Sequence, residues 1–209
     1  MIASLIAAGL RLFTGAGARG AASAWEGEAP RVFFANHTSN LDFVALWAVL
    51  PPEVRRRTRP VAARDYWLGG PVRRWLAERV FRAVLIERKQ VTRANNPIEQ
   101  MLPVLESGEC LILFPEGGRF EGGELAPFKS GLFHLAQRCP AARLVPVYIE
   151  NLNRVLPKGE VLAVPVLCAV NFGEPIRLEA GETREAFLER AREEVRSLGP
   201  ATEGADTTS

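Results

Sequence analysis

The apolar residues of this chain come in short runs, and the stretches between the runs are patterned for helices. Such runs read as buried strands, being too short for helices of their own. They fall at residues 31–35 (R-V-F-F-A), 83–87, 110–114, 144–149 and 161–172, with a weaker one at 60–64. Helical patterns fall between or after them, at residues 41–50, 71–80, 97–106, 129–138 and 184–198. Pro51 and Pro52 stop the first helix, and Pro71 sits at a first-turn position of the second. Strands alternating with helices predict an α/β fold: a mixed, largely parallel sheet flanked by helices. In such sheets ligands bind beyond the carboxyl ends of the strands.

A length of 209 residues with 47% hydrophobic content suits one domain with a sizeable core. The expected organisation is an N-terminal membrane-associating helix and loop over residues 1–29, a central domain over 30–198, and a disordered tail over 199–209. Residues 1–14 begin apolar and carry Arg11 after the apolar run, where a secretory signal would carry its charge before it. They are read as a short interfacial helix, and packing on the protein's own core is the alternative. The glycine-rich stretch 15–20 and residues 25–30 are read as loop. No segment reaches the ~20 apolar residues that span a bilayer.

The formal charge of +2 gives no general reason to bind nucleic acid, and no aromatic stacking motif is interleaved with the basic residues. The charge is uneven, however. Residues 55–93 hold twelve basic side chains against three acidic ones, a net of +9. That stretch is either a solvated face or a surface drawn to phosphates, on anionic lipids or on a phosphorylated substrate. Cys110, Cys139 and Cys168 lie far apart without a C-x-x-C pair, which argues against zinc and fits a reducing compartment.

Two polar clusters follow strands. In Asn36-His37-Thr38-Ser39-Asn40-Leu41-Asp42, residues five apart on one helix would face different ways. With His37 in a turn and Asp42 in the first helical turn they can meet. Asp42 would then fix the tautomer and free the other imidazole nitrogen to act as a base. Ser39-x-x-Asp42 is also a capping box, which would make Asp42 structural. The second cluster, Phe114-Pro115-Glu116-Gly117-Gly118-Arg119, breaks a buried strand sharply. Gly117 lets the backbone approach a ligand, and Arg119 can hold a phosphate. An ordinary turn with a solvated ion pair is the alternative.

Taken in order, H-x-x-x-x-D (residues 37–42), V-L-I-E-R (84–88), F-P-E-G-G-R (114–119) and L-V-P-V-Y-I (144–149) resemble the four motifs of the glycerolipid (lysophospholipid) acyltransferase family, which includes the 1-acylglycerol-3-phosphate acyltransferases. The resemblance covers roughly residues 30–175, and Phe128-Lys129-Ser130-Gly131 fits the family's segment after the third motif. It implies transfer of a fatty acyl chain from an acyl thioester, acyl-CoA or acyl-carrier protein, to a lysophospholipid hydroxyl, with no metal or other cofactor. It further implies His37 as general base, Asp42 as its orienter, Arg88 and Arg119 on the acceptor's phosphate, Glu116 shaping the acceptor site, and Lys129 as a further phosphate ligand. The expected setting is an anionic membrane surface, met peripherally or monotopically from the cytoplasmic face, without nucleic acid. Gly118 and Phe120 stand where the family usually has Thr and Ser, and Glu87 where Asp is usual. A thioesterase or lipid hydrolase, in which His37 activates water, and a catalytically silent membrane-binding module are the competing readings. The chain lacks a G-x-S-x-G elbow, which counts against a serine hydrolase.

Overall fold

The computed structural model describes residues 5–9, 11, 15, 17–39, 41–88, 92, 95–119, 125–150 and 168–200. Seven strands form one sheet: β1 (Gly17–Gly20), β2 (Arg31–Ala35), β3 (Thr58–Ala63), β4 (Val84–Ile86), β5 (Cys110–Leu113), β6 (Arg143–Ile149) and β7 (Ala169–Phe172). Their order is β1-β7-β6-β2-β5-β3-β4. The five strands from β6 to β4 are mutually parallel; β7 runs antiparallel to β6, and β1 lies parallel to β7. The sheet is therefore mixed and largely parallel, as the alternating pattern predicts.

Period-two alternation sorts the strand side chains onto two faces. Phe33, Ala35, Ile112, Val145 and Val147 join one buried cluster, and Val32, Phe34, Leu111 and Leu144 join the other. The first face is covered by α1 (Asp42–Val49) and α2 (Pro52–Arg56), with Phe81 packed among them. On the second face lie α5 (Pro97–Glu106), α6 (Gly131–Arg138) and α7 (Arg184–Ser197). Between β3 and β4 the chain forms α3 (Arg64–Trp67) and α4 (Pro71–Trp75), and α4 runs straight into a π-helical turn, Leu76–Val80.

Several sequence expectations need correction. The loop expected over 15–20 contains β1, so a strand of the same sheet lies before residue 30. Its sequence Gly-Ala-Arg-Gly has no apolar pattern to reveal it, because it is held by backbone pairing to β7 alone. Pro52 starts α2 in addition to ending the previous helix, which suits a residue whose missing N–H is an orphan in a first turn. The strand at 60–64 occupies Thr58–Ala63 and the helix at 129–138 begins at Gly131. In the expected strand 161–172, residues 169–172 are β7 and residues 161–167 lie outside the described residues, as do 201–209 of the expected tail.

Of the expected N-terminal helix, residues 5–9 and 11 are described and are helical. Ala7 is buried in the first core cluster while Leu5 is exposed, so this helix has one face on the protein and one off it. Among the described residues no helix is long and apolar enough to cross a membrane. All three cysteines are buried and free.

Candidate active site

Because five strands are parallel, the segments leaving β2, β3, β4, β5 and β6 gather at one edge of the sheet. His37 follows β2 and Asp42 opens α1, as the five-residue spacing requires if they are to meet. The imidazole Nδ1 lies 2.9 Å from Asp42 Oδ2. That same oxygen accepts the backbone N–H groups of Thr38 at 2.7 Å and Ser39 at 2.8 Å. Two of the three nitrogens facing Oδ2 are obligate donors, which holds it as an acceptor. Nδ1 completes the set as a donor, and the lone pair is left on Nε2. Asp42 is fully buried, whereas the His37 side chain keeps 22% of its surface exposed.

Only half of the capping box forms. Asp42 reaches back to the Ser39 N–H, but the Ser39 hydroxyl accepts from Leu41 rather than from the Asp42 N–H. The structural and the orienting readings of Asp42 are therefore not alternatives, since a single oxygen serves both. Asp42 Oδ1 is buried and has no hydrogen-bond partner among the described residues.

The imidazole is also held by its face, against Phe114 at a ring-centroid distance of 4.3 Å and an interplanar angle of 21°. Phe114 directly follows β5. Glu116, two residues on, is buried with both oxygens engaged: His37 N–H donates to Oε1 at 2.7 Å and Ala126 N–H to Oε2 at 3.1 Å. Burial pushes its carboxyl above the ordinary glutamate range, although those two N–H donors pull the other way. Glu116 thus ties the His37 turn to the segment at residues 125–128. Sequence reasoning missed Asn36, which is buried and pairs reciprocally with Ile149 at the end of β6: Nδ2 donates to the carbonyl at 3.1 Å and Oδ1 accepts the N–H at 2.7 Å. An asparagine directly after a buried strand was its only sequence signal.

His37 lines a cleft of about 190 Å³ whose wall includes Phe43, Tyr66, Trp67, Arg88, Gly117 and Arg119. Arg88 and Arg119 thus share one cleft with the imidazole, as do Gly117 and Gly118 of the turn. Arg88 is braced by Asp65 at 3.2 Å, a partner that sequence spacing does not reveal. Lys129 lies beside Gly117 at the border of that cleft. It lines a second, larger groove of about 610 Å³ between α5 and α6, together with Met101, Leu132, His134 and Arg138. Ile86, Leu113, Phe114 and Gly117 border both spaces. Gly117 has φ +71°, a backbone conformation that favours glycine, and a Cβ there would fall 2.5 Å from Lys129 Nζ, so the lysine end would have to move aside.

The chain is thus an α/β protein that gathers an oriented histidine and two arginines into one cleft at the carboxyl edge of its sheet. A family model described as Acyltransferase matches residues 21–150, and the chain belongs to that family. It is 31% identical over 178 residues to a 1-acyl-sn-glycerol-3-phosphate acyltransferase of Escherichia coli (strain K12), covering 78% of this chain and 67% of that protein. It is 30% identical over 154 residues to 1-acyl-sn-glycerol-3-phosphate acyltransferase alpha of Mus musculus, covering 72% of this chain and 51% of that one. The chain thus spans about half the length of such mammalian relatives. The crystal structure of the 1-acyl-sn-glycerophosphate (LPA) acyltransferase PlsC from Thermotoga maritima shares the fold, with a TM-score of 0.74 at 18% identity over 94% of this chain and 77% of that one.

Proposed function

We propose that the chain is an O-acyltransferase acting on a lysophospholipid, with 1-acylglycerol-3-phosphate as acceptor, phosphatidic acid as product, and acyl-CoA or acyl-carrier protein as donor. The observation that carries this reading is the His37 ring. Its Nδ1 is engaged by Asp42 while the ring lines a cleft shared with Arg88 and Arg119. The relatives, named as 1-acyl-sn-glycerol-3-phosphate acyltransferases, support the choice of acceptor.

The chemistry follows from those parts. An alcohol is a poor nucleophile until its proton is removed, and Nε2 of His37 takes that proton as the acceptor oxygen attacks the thioester carbonyl carbon. The C–O bond forms, the oxyanion collapses, and the C–S bond breaks. The imidazolium that results is stabilised by Asp42 and returns its proton to the departing thiolate. A thiol of pKa ~8.5 leaves readily, so no enzyme nucleophile is needed. Arg88 and Arg119 hold the acceptor's phosphate, Arg119 with a planar fork suited to it.

The test is acyl transfer by wild type and His37→Ala, with both donors and a panel of lysophospholipids. Product from wild type and a loss of at least about 10³-fold in the folded variant is the expected result. Wild-type turnover in the variant overturns the mechanism. Thioester cleavage without acylated lipid overturns the reaction class in favour of hydrolysis.

A further inference from the structure

Four of the five large hydrophobic side chains exposed among the described residues lie within ten positions of one another: Tyr66 (40% exposed), Leu68 (36%), Val72 (69%) and Trp75 (46%). They occupy α3, α4 and the link between them. The neighbours of these residues turn inward. Trp67 packs edge-on to Phe43, and Leu76 and Val80 pack against the first core cluster, so the segment is anchored by one side and bare on the other.

The bare side is also cationic. Arg64 and Arg79 are exposed and make no ion pair with the described residues. Arg73 lies over the Tyr66 ring at 4.9 Å rather than against an acid. Of the acids nearby, Glu78 is matched by Arg74 and Asp65 by Arg88. Unmatched arginines interleaved with a tryptophan, a tyrosine and aliphatic tips are complementary to one kind of surface, in which phosphates lie just above acyl chains. The position agrees, because Tyr66 and Trp67 form part of the His37 cleft.

We propose that residues 64–79 are a docking element for an anionic lipid bilayer, with Leu68, Val72 and Trp75 inserted among the acyl chains and Arg64, Arg73 and Arg79 at the headgroups, so that the His37 cleft opens onto the lipid surface. The binding claim stands apart from the catalytic one; only its consequence, delivery of a lysolipid to the cleft, rests on the acyltransferase reading.

The experiment is cosedimentation of the full chain with vesicles of phosphatidylcholine alone and of phosphatidylcholine mixed with phosphatidylglycerol, using wild type, Val72→Asp/Trp75→Asp, and Arg64→Gln/Arg79→Gln. Circular dichroism checks that each is folded, and neither double variant alters a residue of the cleft. The expected result is wild-type binding to the mixed vesicles, weakened about tenfold or more in each variant, and a shallower salt dependence for the arginine variant. Quenching of tryptophan fluorescence by bromine-labelled acyl chains should fall in Trp75→Phe. Equal binding to both vesicle types, or undiminished binding by the folded variants, overturns the proposal. So does a wild-type dimer in solution that Val72→Asp/Trp75→Asp converts to monomer, which would make this face a contact between copies. Turnover on a monomerically dissolved acceptor without vesicles separates the two readings. The Val72→Asp/Trp75→Asp variant should match wild type there, and a wild type that binds vesicles yet turns nothing over would sink the catalytic reading alone.

Discussion

At Asp42 the load is uneven, with three donors on Oδ2 and none on Oδ1 among the described residues. Asp42→Asn can therefore place its carbonyl at the loaded position and its amide at the empty one, keeping the imidazole tautomer while removing the charge. Turnover should fall by roughly 10²-fold, less than the ~10⁴-fold loss seen where such a change also flips the tautomer. Asp42→Ala should unfold far more readily, because three donors lose their acceptor. Steady-state kinetics and urea melts on both variants check this. Glu116 offers a pH test. Its carboxyl is raised by burial, so the folded chain keeps that proton at pH values where the unfolded chain has lost it. The group's contribution to stability is full below the ordinary glutamate range and is lost as pH rises through the raised value. Glu116→Gln, which does not titrate, should gain on wild type over that interval in urea melts. A pH-independent difference would count against the assignment.

Elements with a long periodic core face were legible in the sequence, and β1, held by backbone pairing, and the short helices α2 and α3 were not. The bounds of β2 and α5 agree with expectation because each has a periodic core face, and Pro97 marks the start of α5. β1 was invisible because no side-chain pattern accompanies its pairing. The spacing of His37 and Asp42 was informative, since only a turn followed by a helix lets them meet. That Arg119 lines the cleft and Lys129 the groove beside it was not, because it depends on how two segments fold around Gly117. Asn36 joins two elements that are 113 positions apart in sequence. Asn36→Ala leaves both Ile149 backbone groups unpaired and should cost roughly 2 kcal/mol. It should also lower kcat, since the His37 turn loses its tie to β6; a melt and a kinetic run on one preparation test both.

Across the whole molecule the two ends of the parallel strands carry different duties. At the amino end of β2, Arg31 is fully buried and donates to the carbonyls of Glu26, Gly27 and Ala29, closing the loop that enters the sheet. Arg31→Met should cost about 3 kcal/mol and lower the melting temperature by ~10 °C, with kcat unchanged below the transition. A selective loss of kcat in that variant would mean that the two ends are coupled. At the other end a single aromatic ring borders both spaces, since Phe114 faces the cleft and the groove while supporting the imidazole. Phe114 is thus a partition as well as a platform. Trimming it would widen both spaces where they meet and remove the ring beneath the base in one stroke, so neither can be resized at this residue without disturbing the other and the histidine.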